Sequence, residues 1–347
     1  MTIVDDVSGL MGQFFGQKTK QMFQDFYDED HPGELIAASN EMLSGMLGVK
    51  NAAVYMDQIT SKYPTITQES LPSAAKTTQR HDTFAFVVIL AYIVCLIIAY
   101  STTIIPEQSR LMVQNIVYLI GPLLATATGF YAIKKFGIKS VLGKTISYLT
   151  IGFFMFLISE IAWVIYENFL HIEPTDSLPG FLFFLAYPFF IAGILVQFDK
   201  HILFENKKRL IWSGASILVL IGISFYFTFY LGYNPQLPLV ENIILLGYSI
   251  ADMIIIIGLV IMINLSIHYA EGLLAKFWIL LALTFSAQWI GDVLLAIFDV
   301  QYHVPVWAIR QIDYLWIVAS LLAASAFYVQ VSHLNKTLKE HLTPGAV

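Results

Sequence analysis

Apolar residues in this chain fall into eight long runs separated by short polar segments, at about 83–105, 112–133, 145–169, 179–198, 210–231, 241–267, 276–300 and 306–331. A helix crosses a hydrocarbon core about 30 Å thick with about 20 apolar residues. The pattern therefore predicts an all-α integral membrane protein with eight transmembrane helices. About 80 mostly polar residues precede the first run, so no secretory signal peptide is expected and the first span serves as its own insertion signal.

The polar lead has its own organisation. Leu10, Phe14, Phe15, Met22, Phe23 and Phe26 recur with a mostly helical period. Pro32 is placed to open a further helix that stops at Gly48, and Asn51 to cap another that Pro64 ends. Residues 1–63 thus read as a small cytoplasmic helical domain, residues 64–82 as a linker rich in Ser, Thr, Pro and Gln, and residues 83–331 as the membrane domain. Sixty residues make a marginal core, which suggests pairing with another copy or a partner. The tail, 332–347, is too short to fold alone and carries no kinase, cyclase or nucleotide-binding domain. The acidic run Asp28, Glu29, Asp30, His31, Glu34 fits a helix N-terminus favoured by its dipole better than a metal site.

Composition agrees: 57% of residues are apolar and 13% charged, against about 45–50% and 25% in soluble domains. Lysine and arginine set the orientation, because positive loops stay cytoplasmic. Lys18, Lys20, Lys50, Lys62, Lys76 and Arg80 precede the first span; Lys134, Lys135, Lys139 and Lys144 follow the second; Lys200, Lys207, Lys208 and Arg209 follow the fourth. The alternate loops hold only Arg110 and, just inside the last span, Arg310. Both termini are therefore expected in the cytoplasm of a multi-pass cell-membrane protein. The single cysteine, Cys95, lies within the first span and excludes disulfides and cysteine-based metal sites.

The membrane domain reads as a duplication. SEIAWVIYEN in the third span and GDVLLAIFDV in the seventh align so that Glu160 matches Asp292 and Glu167 matches Asp299. The same offset carries spans one, two and four onto five, six and eight, giving two parallel four-helix repeats, 83–200 and 210–331. Seven residues is close to two helical turns, so each acidic pair shares one face of its span. Glu241, Asp252, Arg310 and Asp313 fall toward the same, outward half. Charged groups at such depth are costly unless they face the bundle, pair or line water. They are either helix-to-helix glue, with Arg310 and Asp313 as an i,i+3 pair, or the wall of an outward-facing acidic pocket; their repetition at one register favours the pocket.

The stretch SEIAWVIYENFLHIEPTDSLPGFLFFLAYPFFIAGIL resembles the eight-span sensory membrane region found ahead of catalytic domains in some bacterial and archaeal diguanylate cyclases and histidine kinases. Glu160, Trp163, Tyr166 and Glu167 match its acid-x-x-aromatic helix, Pro174 and Ser177 its loop, Tyr187-Pro188 its end, and Asp313-Tyr314 with Trp316 the corresponding start in the second half. The resemblance covers about 80–331 and implies sensing. Gly180 stands where the first half would carry its own Asp, and no enzymatic output domain follows, so output is expected through residues 1–63 or a separate partner.

Other chemistries fit less well. A retinal Schiff base needs a lysine inside the bundle, whereas Lys276 is at a span edge. The eight histidines sit at loops or span ends without a zinc-type ligand set. A proton- or cation-coupled transporter suits parallel repeats with buried acids. The string GDVLLAIF faintly resembles lysoplasmalogenase-like intramembrane hydrolases, in which paired acids do acid–base work. The reading reached is a sensory or ligand-binding module, non-enzymatic, with a pocket lined by Glu160, Trp163, Glu167, Tyr187, Asp292, Asp299, Arg310, Asp313 and Trp316. Its expected partners are the lipid bilayer, a small-molecule or cation ligand, and a cytoplasmic signalling partner met by residues 1–63. It calls for no cofactor, metal or nucleic acid.

Overall fold

A computed structural model describes residues 2–29, 32–63, 105–172, 174, 177–196, 207–227, 239–269, 273–303 and 311–342. Among these the elements are helical throughout. Four helices form the N-terminal unit: α1 (Ile3–Phe15), α2 (Gln17–Phe26), α3 (Pro32–Leu47) and α4 (Val49–Thr60). Eight more follow: α5 (Glu107–Tyr118), α6 (Ile120–Phe136), α7 (Val141–Ile165), α8 (Leu178–Leu195), α9 (Lys207–Phe225), α10 (Leu239–His268), α11 (Leu273–His303) and α12 (Asp313–Leu342).

Six stretches are long and apolar enough to cross a membrane: Met112–Phe136, Val141–Leu170, Leu178–Leu195, Leu246–Ile267, Leu274–Leu295 and Asp313–Ser332. They are the second, third, fourth, sixth, seventh and eighth predicted runs. The fifth run forms α9, whose apolar part, Leu210–Phe225, is shorter. The predicted first span with Cys95, the linker 64–82 and Arg310 lie outside the described residues.

The six long spans close into a ring. In chain order α6 packs on α7, α7 on α8, α10 on α11 and α11 on α12, and the two groups are joined by α12 against α6 and α8 against α10. Close approach depends on small residues, as expected where lipid offers no competing solvent. Gly121, Ala125 and Gly129 line the buried face of α6, and Gly129 lies directly against Thr150 of α7. Helix α9 packs outside on α10, with Asn264 Nδ2 donating to Ser213 Oγ at 2.9 Å and Trp289 Nε1 of α11 to Ser224 Oγ at 2.6 Å.

Phenylalanines fill the middle of the ring. Phe190 of α8 lies 5.1 Å from Phe153, 5.2 Å from Phe156 and 5.3 Å from Phe285, centroid to centroid, and Phe153 reaches Phe327 of α12 at 6.4 Å. Edge-to-face pairs of this kind add about 0.5–1.5 kcal/mol each beyond area burial. They place an aromatic layer about two turns below Glu160 and Asp292.

The N-terminal unit builds onto one end of this ring. Thr2 and Asp5 form a capping box: Thr2 N–H donates to Asp5 Oδ2 at 3.1 Å and Asp5 N–H to Thr2 Oγ1 at 3.2 Å. The Thr2 N–H holds the Asp5 carboxyl below its ordinary 3.8, so this contribution is present at neutral pH and fades as acidification protonates the group. Lys62 Nζ and the Tyr63 hydroxyl both donate to Asp6, at 3.2 and 3.3 Å, returning the end of α4 to α1. Residues of α1, α3 and α4 share a continuous apolar core with the spans. Helix α1 packs on α11, α3 on α7 and α4 on α12, and Phe15 meets Tyr269 at 6.0 Å.

Two local expectations are corrected. Asn51 does not cap α4. It lies in the first turn, buried, where Nδ2 donates to Leu47 O at 2.8 Å and Lys135 O at 3.1 Å, and Gly48 takes the cap position. Met22 and Phe26 are 52% and 82% exposed, outside the core that their spacing suggested. A ten-residue helix turns only one side to α1, and Phe23 is the buried member.

Gly48 has φ +88°, and a Cβ there would meet Phe136 O at 2.9 Å. Positive φ with a side chain costs about 1–3 kcal/mol. Gly48→Ala should therefore lower thermal stability by about that amount. Gly9→Ala, with open space around it, should be neutral or stabilising by up to ~1 kcal/mol. Thermal unfolding of the two purified variants checks the contrast; equal effects would contradict the role given to Gly48.

Candidate functional site

At the end of the ring away from the N-terminal unit, buried acids gather in two neighbouring groups. Helix α7 begins where Gly137 (φ +72°) turns the chain and Ser140 Oγ accepts from Gly143 N–H at 3.0 Å. Nineteen residues later, about 28 Å along the helix, it delivers Ser159 and Glu160. Ser159 is fully buried and donates to Pro179 O at 2.5 Å, fixing α7 to the start of α8.

Glu160 accepts a hydrogen bond from Tyr118 of α5 and lies within electrostatic reach of Asp313 and Glu167. Glu167 Oε2 accepts from Asn115 Nδ2 at 2.6 Å and from Trp163 Nε1 at 3.2 Å. Trp163 also meets Phe183 at 6.1 Å. Asp313 is 4% exposed, in the first turn of α12, where the positive end of the helix dipole suits a carboxyl.

The second group is tighter. The Tyr187 hydroxyl donates to Asp252 Oδ1 at 2.9 Å and Asp292 Oδ2 at 3.2 Å. Asp292 also accepts from Trp316 Nε1 at 2.8 Å and Gln288 Nε2 at 3.3 Å. Asp252 and Asp292, both bonded to this one hydroxyl, also lie within electrostatic reach of each other. Four helices (α8, α10, α11 and α12) contribute to this knot. Trp316 reaches it because residue 291 is glycine: a Cβ there would stand 2.7 Å from the indole nitrogen. Tyr248 stacks beside Tyr187 at 6.1 Å. Its hydroxyl donates to Gly180 O and is hydrogen-bonded to the Phe184 backbone, one turn before Pro188.

Tyr187 carries one hydroxyl hydrogen but lies within hydrogen-bond distance of two carboxyl groups. The two groups meet through α12, since Asp313 lies within electrostatic reach of Glu160 while Trp316, one turn on, donates to Asp292.

Of the nine residues singled out from the sequence, Glu160, Trp163, Glu167 and Asp313 fall in the first group, and Tyr187, Asp292 and Trp316 in the second. Asp299 lies in α11 but its side chain, like that of Glu241, lies outside the described residues. The sequence reading left out Tyr118, Asn115, Tyr248 and Gln288; it set Asp252 among the polar residues of the outward half but not among the nine lining residues. A signal for two of the donors was present: Trp163 and Gln288 each stand four residues before the carboxyl that they serve, the spacing of helix neighbours.

Both acid-bearing helices also lose their regular form at matched positions. Helix α7 passes into a π-turn over Tyr166–Leu170 that ends at His171 with φ +54°. Helix α11 leaves helical geometry at Phe298, φ −113° and ψ 20°. Residues 166 and 298 are related by the same offset as Glu160 and Asp292.

Comparison with protein-family models, curated proteins and solved structures gave no match. What the fold defines is therefore a class, an all-helical multi-pass membrane protein with a buried network of carboxyl groups inside its bundle.

Tyr187→Phe deletes the hydroxyl bridging Asp252 and Asp292 and should cost about 1–3 kcal/mol, the penalty for leaving a buried polar partner unserved. Combined with Asp252→Asn, the losses should be less than additive by at least ~0.5 kcal/mol. Thermal unfolding of the single and double variants measures this; strict additivity would mean that the bridge carries no energy.

Proposed function

We propose that this chain is a membrane sensory or ligand-binding module. Its acidic end takes up a ligand or protons from outside the cell, and its N-terminal helices pass the change on within the cytoplasm. One observation carries the proposal: three of the four helices that bear the acids at one end, α7, α11 and α12, are the three on which α3, α1 and α4 pack at the other, while the fourth, α10 with Asp252, packs on α11. A shift of any of these three helices along its axis is transmitted to the unit seated on its far end.

The proposed frame is eight spans in two parallel repeats with both termini inside. The symmetry of the ring supports it, since exchanging α6–α7–α8 with α10–α11–α12 carries the joint α12–α6 onto α8–α10. Residue pairs at the repeat offset support it too. Phe153 and Phe285 both pack on Phe190, Ser159-Glu160 and Gly291-Asp292 each pair a small buried residue with an acid, and Tyr166 and Phe298 mark the two breaks. In this reading Glu160 and Asp292 hold the responsive positions, Glu167, Asp299, Arg310 and Asp313 complete the polar wall, and Trp163, Tyr187 and Trp316 supply its aromatic faces. The resemblance to sensory membrane regions points the same way.

A second reading draws on the Asp252–Tyr187–Asp292 knot, since paired carboxyls are also the equipment of an acid–base hydrolase acting on lipid. Turnover separates the two: a sensor binds without releasing product.

Under the sensory proposal, the protection factors of residues 3–60 against hydrogen exchange, corrected for intrinsic exchange at each pH, in the full chain reconstituted in nanodiscs should change by about 5–150-fold across about pH 5–8, the range of ordinary allosteric coupling. Glu160→Gln with Asp292→Asn should abolish the change. An unaltered response in that double variant would refute the assignment, and release of product from a lysophospholipid would favour the hydrolase.

A further inference from the structure

We infer that the rim where α4 meets the α6–α7 turn is a docking surface for anionic phospholipid headgroups, so that lipid composition governs how firmly the N-terminal unit is seated. This goes beyond the proposed sensing role and does not depend on the acids.

The rim is assembled by close contact. Gly48 abuts the carbonyl of Phe136, and its Cα neighbourhood includes Ser140, which brings the start of α4 beside residues 137–139. Two apolar side chains project there into the surroundings, Val49 at 67% and Ile138 at 65% exposure. Neither packs in the core, and both stand at the level where the spans Met112–Phe136 and Val141–Leu170 end and begin, which is the depth of the headgroup layer. Lys50, Lys134, Lys139 and Lys144 are exposed around them. No Asp or Glu occurs between residues 42 and 56 or between 108 and 159. The nearest acids in sequence to Gly48, Glu41 and Asp57, are about two helical turns or more away.

Apolar tips with exposed lysines on the same two stretches, which carry no Asp or Glu, match an interface of acyl chains and anionic phosphates. Lysine stems lie along apolar surface while their charged heads reach outward. Anionic leaflets attract juxtamembrane basic clusters, an attraction that salt screens. A folded protein partner would need carboxylates facing four lysines at bilayer depth, whereas the headgroup layer supplies negative charge at that level already. Docking there holds Val49 and Lys50 against the bilayer and steadies the contact of Asn51 with the Lys135 carbonyl.

The test uses the full chain in nanodiscs of phosphatidylcholine alone and of phosphatidylcholine mixed with phosphatidylglycerol, reading amide exchange over residues 49–60. Exchange should be about tenfold slower in the mixed discs, and the difference should vanish at about 1 M salt, where the screening length falls to about 3 Å. Lys50→Gln with Lys139→Gln, both exposed and neutral to packing, should lose the difference, as should Val49→Ser with Ile138→Ser. Equal exchange in the two lipids, a difference that survives high salt, or one retained in the lysine double variant would each overturn the inference.

Discussion

A carboxyl group inside an apolar helix bundle must find hydrogen-bond donors within the bundle, and the architecture of this protein follows from meeting that demand several times at one end. Asp292 draws donors from α8 and α12 as well as from its own helix. Glu167 draws them from α5 and α7. Because each donor sits on a different helix, the acids fix the helices relative to one another. Tyr187, shared by Asp252 and Asp292, ties three helices through a single oxygen. The small residues are consequences of the same demand: only with glycine at 291 can Trp316 come near enough to donate.

Below that network lies a layer dominated by phenylalanine rings. Phe153, Phe156, Phe190, Phe285 and Phe327 interlock across the ring, separating the acid-rich end from the end that carries the N-terminal helices. Under the sensory proposal, a signal between the two ends would travel as movement of whole helices, since close-packed cores shift as units. The N-terminal unit is suited to read such movement because its apolar core is continuous with that of the spans.

Much of this was legible in the chain. Long apolar runs identified the spans, since no other element satisfies its own backbone in lipid, and the paired acids in the third and seventh runs pointed to the polar end. Tyr187, Trp316 and Asp313 were picked out beside them. What escaped were partners whose importance depends on three-dimensional neighbours. Tyr118 and Asn115 lie on a helix that reads as an ordinary span entry, and Asp252, though grouped with the outward-half acids, has nothing local to mark it as the partner of Asp292, 40 residues on. The division of the acids into two groups is likewise set by which helices pack together. In the N-terminal unit, periodicity found the helices but placed Met22 and Phe26 in the core and Asn51 at a cap, because spacing alone does not say which side of a short helix meets its neighbours.

The central claim is that the acid knot and the seat of the N-terminal unit, about 28 Å apart along α11, are energetically joined. A double-mutant cycle combining Asn51→Ala, which releases the Lys135 carbonyl, with Asp292→Asn, which loosens the knot, measures this directly through thermal unfolding of the full chain in nanodiscs. Sites so far apart ordinarily add within about 0.3–0.5 kcal/mol. The account predicts a coupling energy clearly beyond that range; additive losses would contradict it.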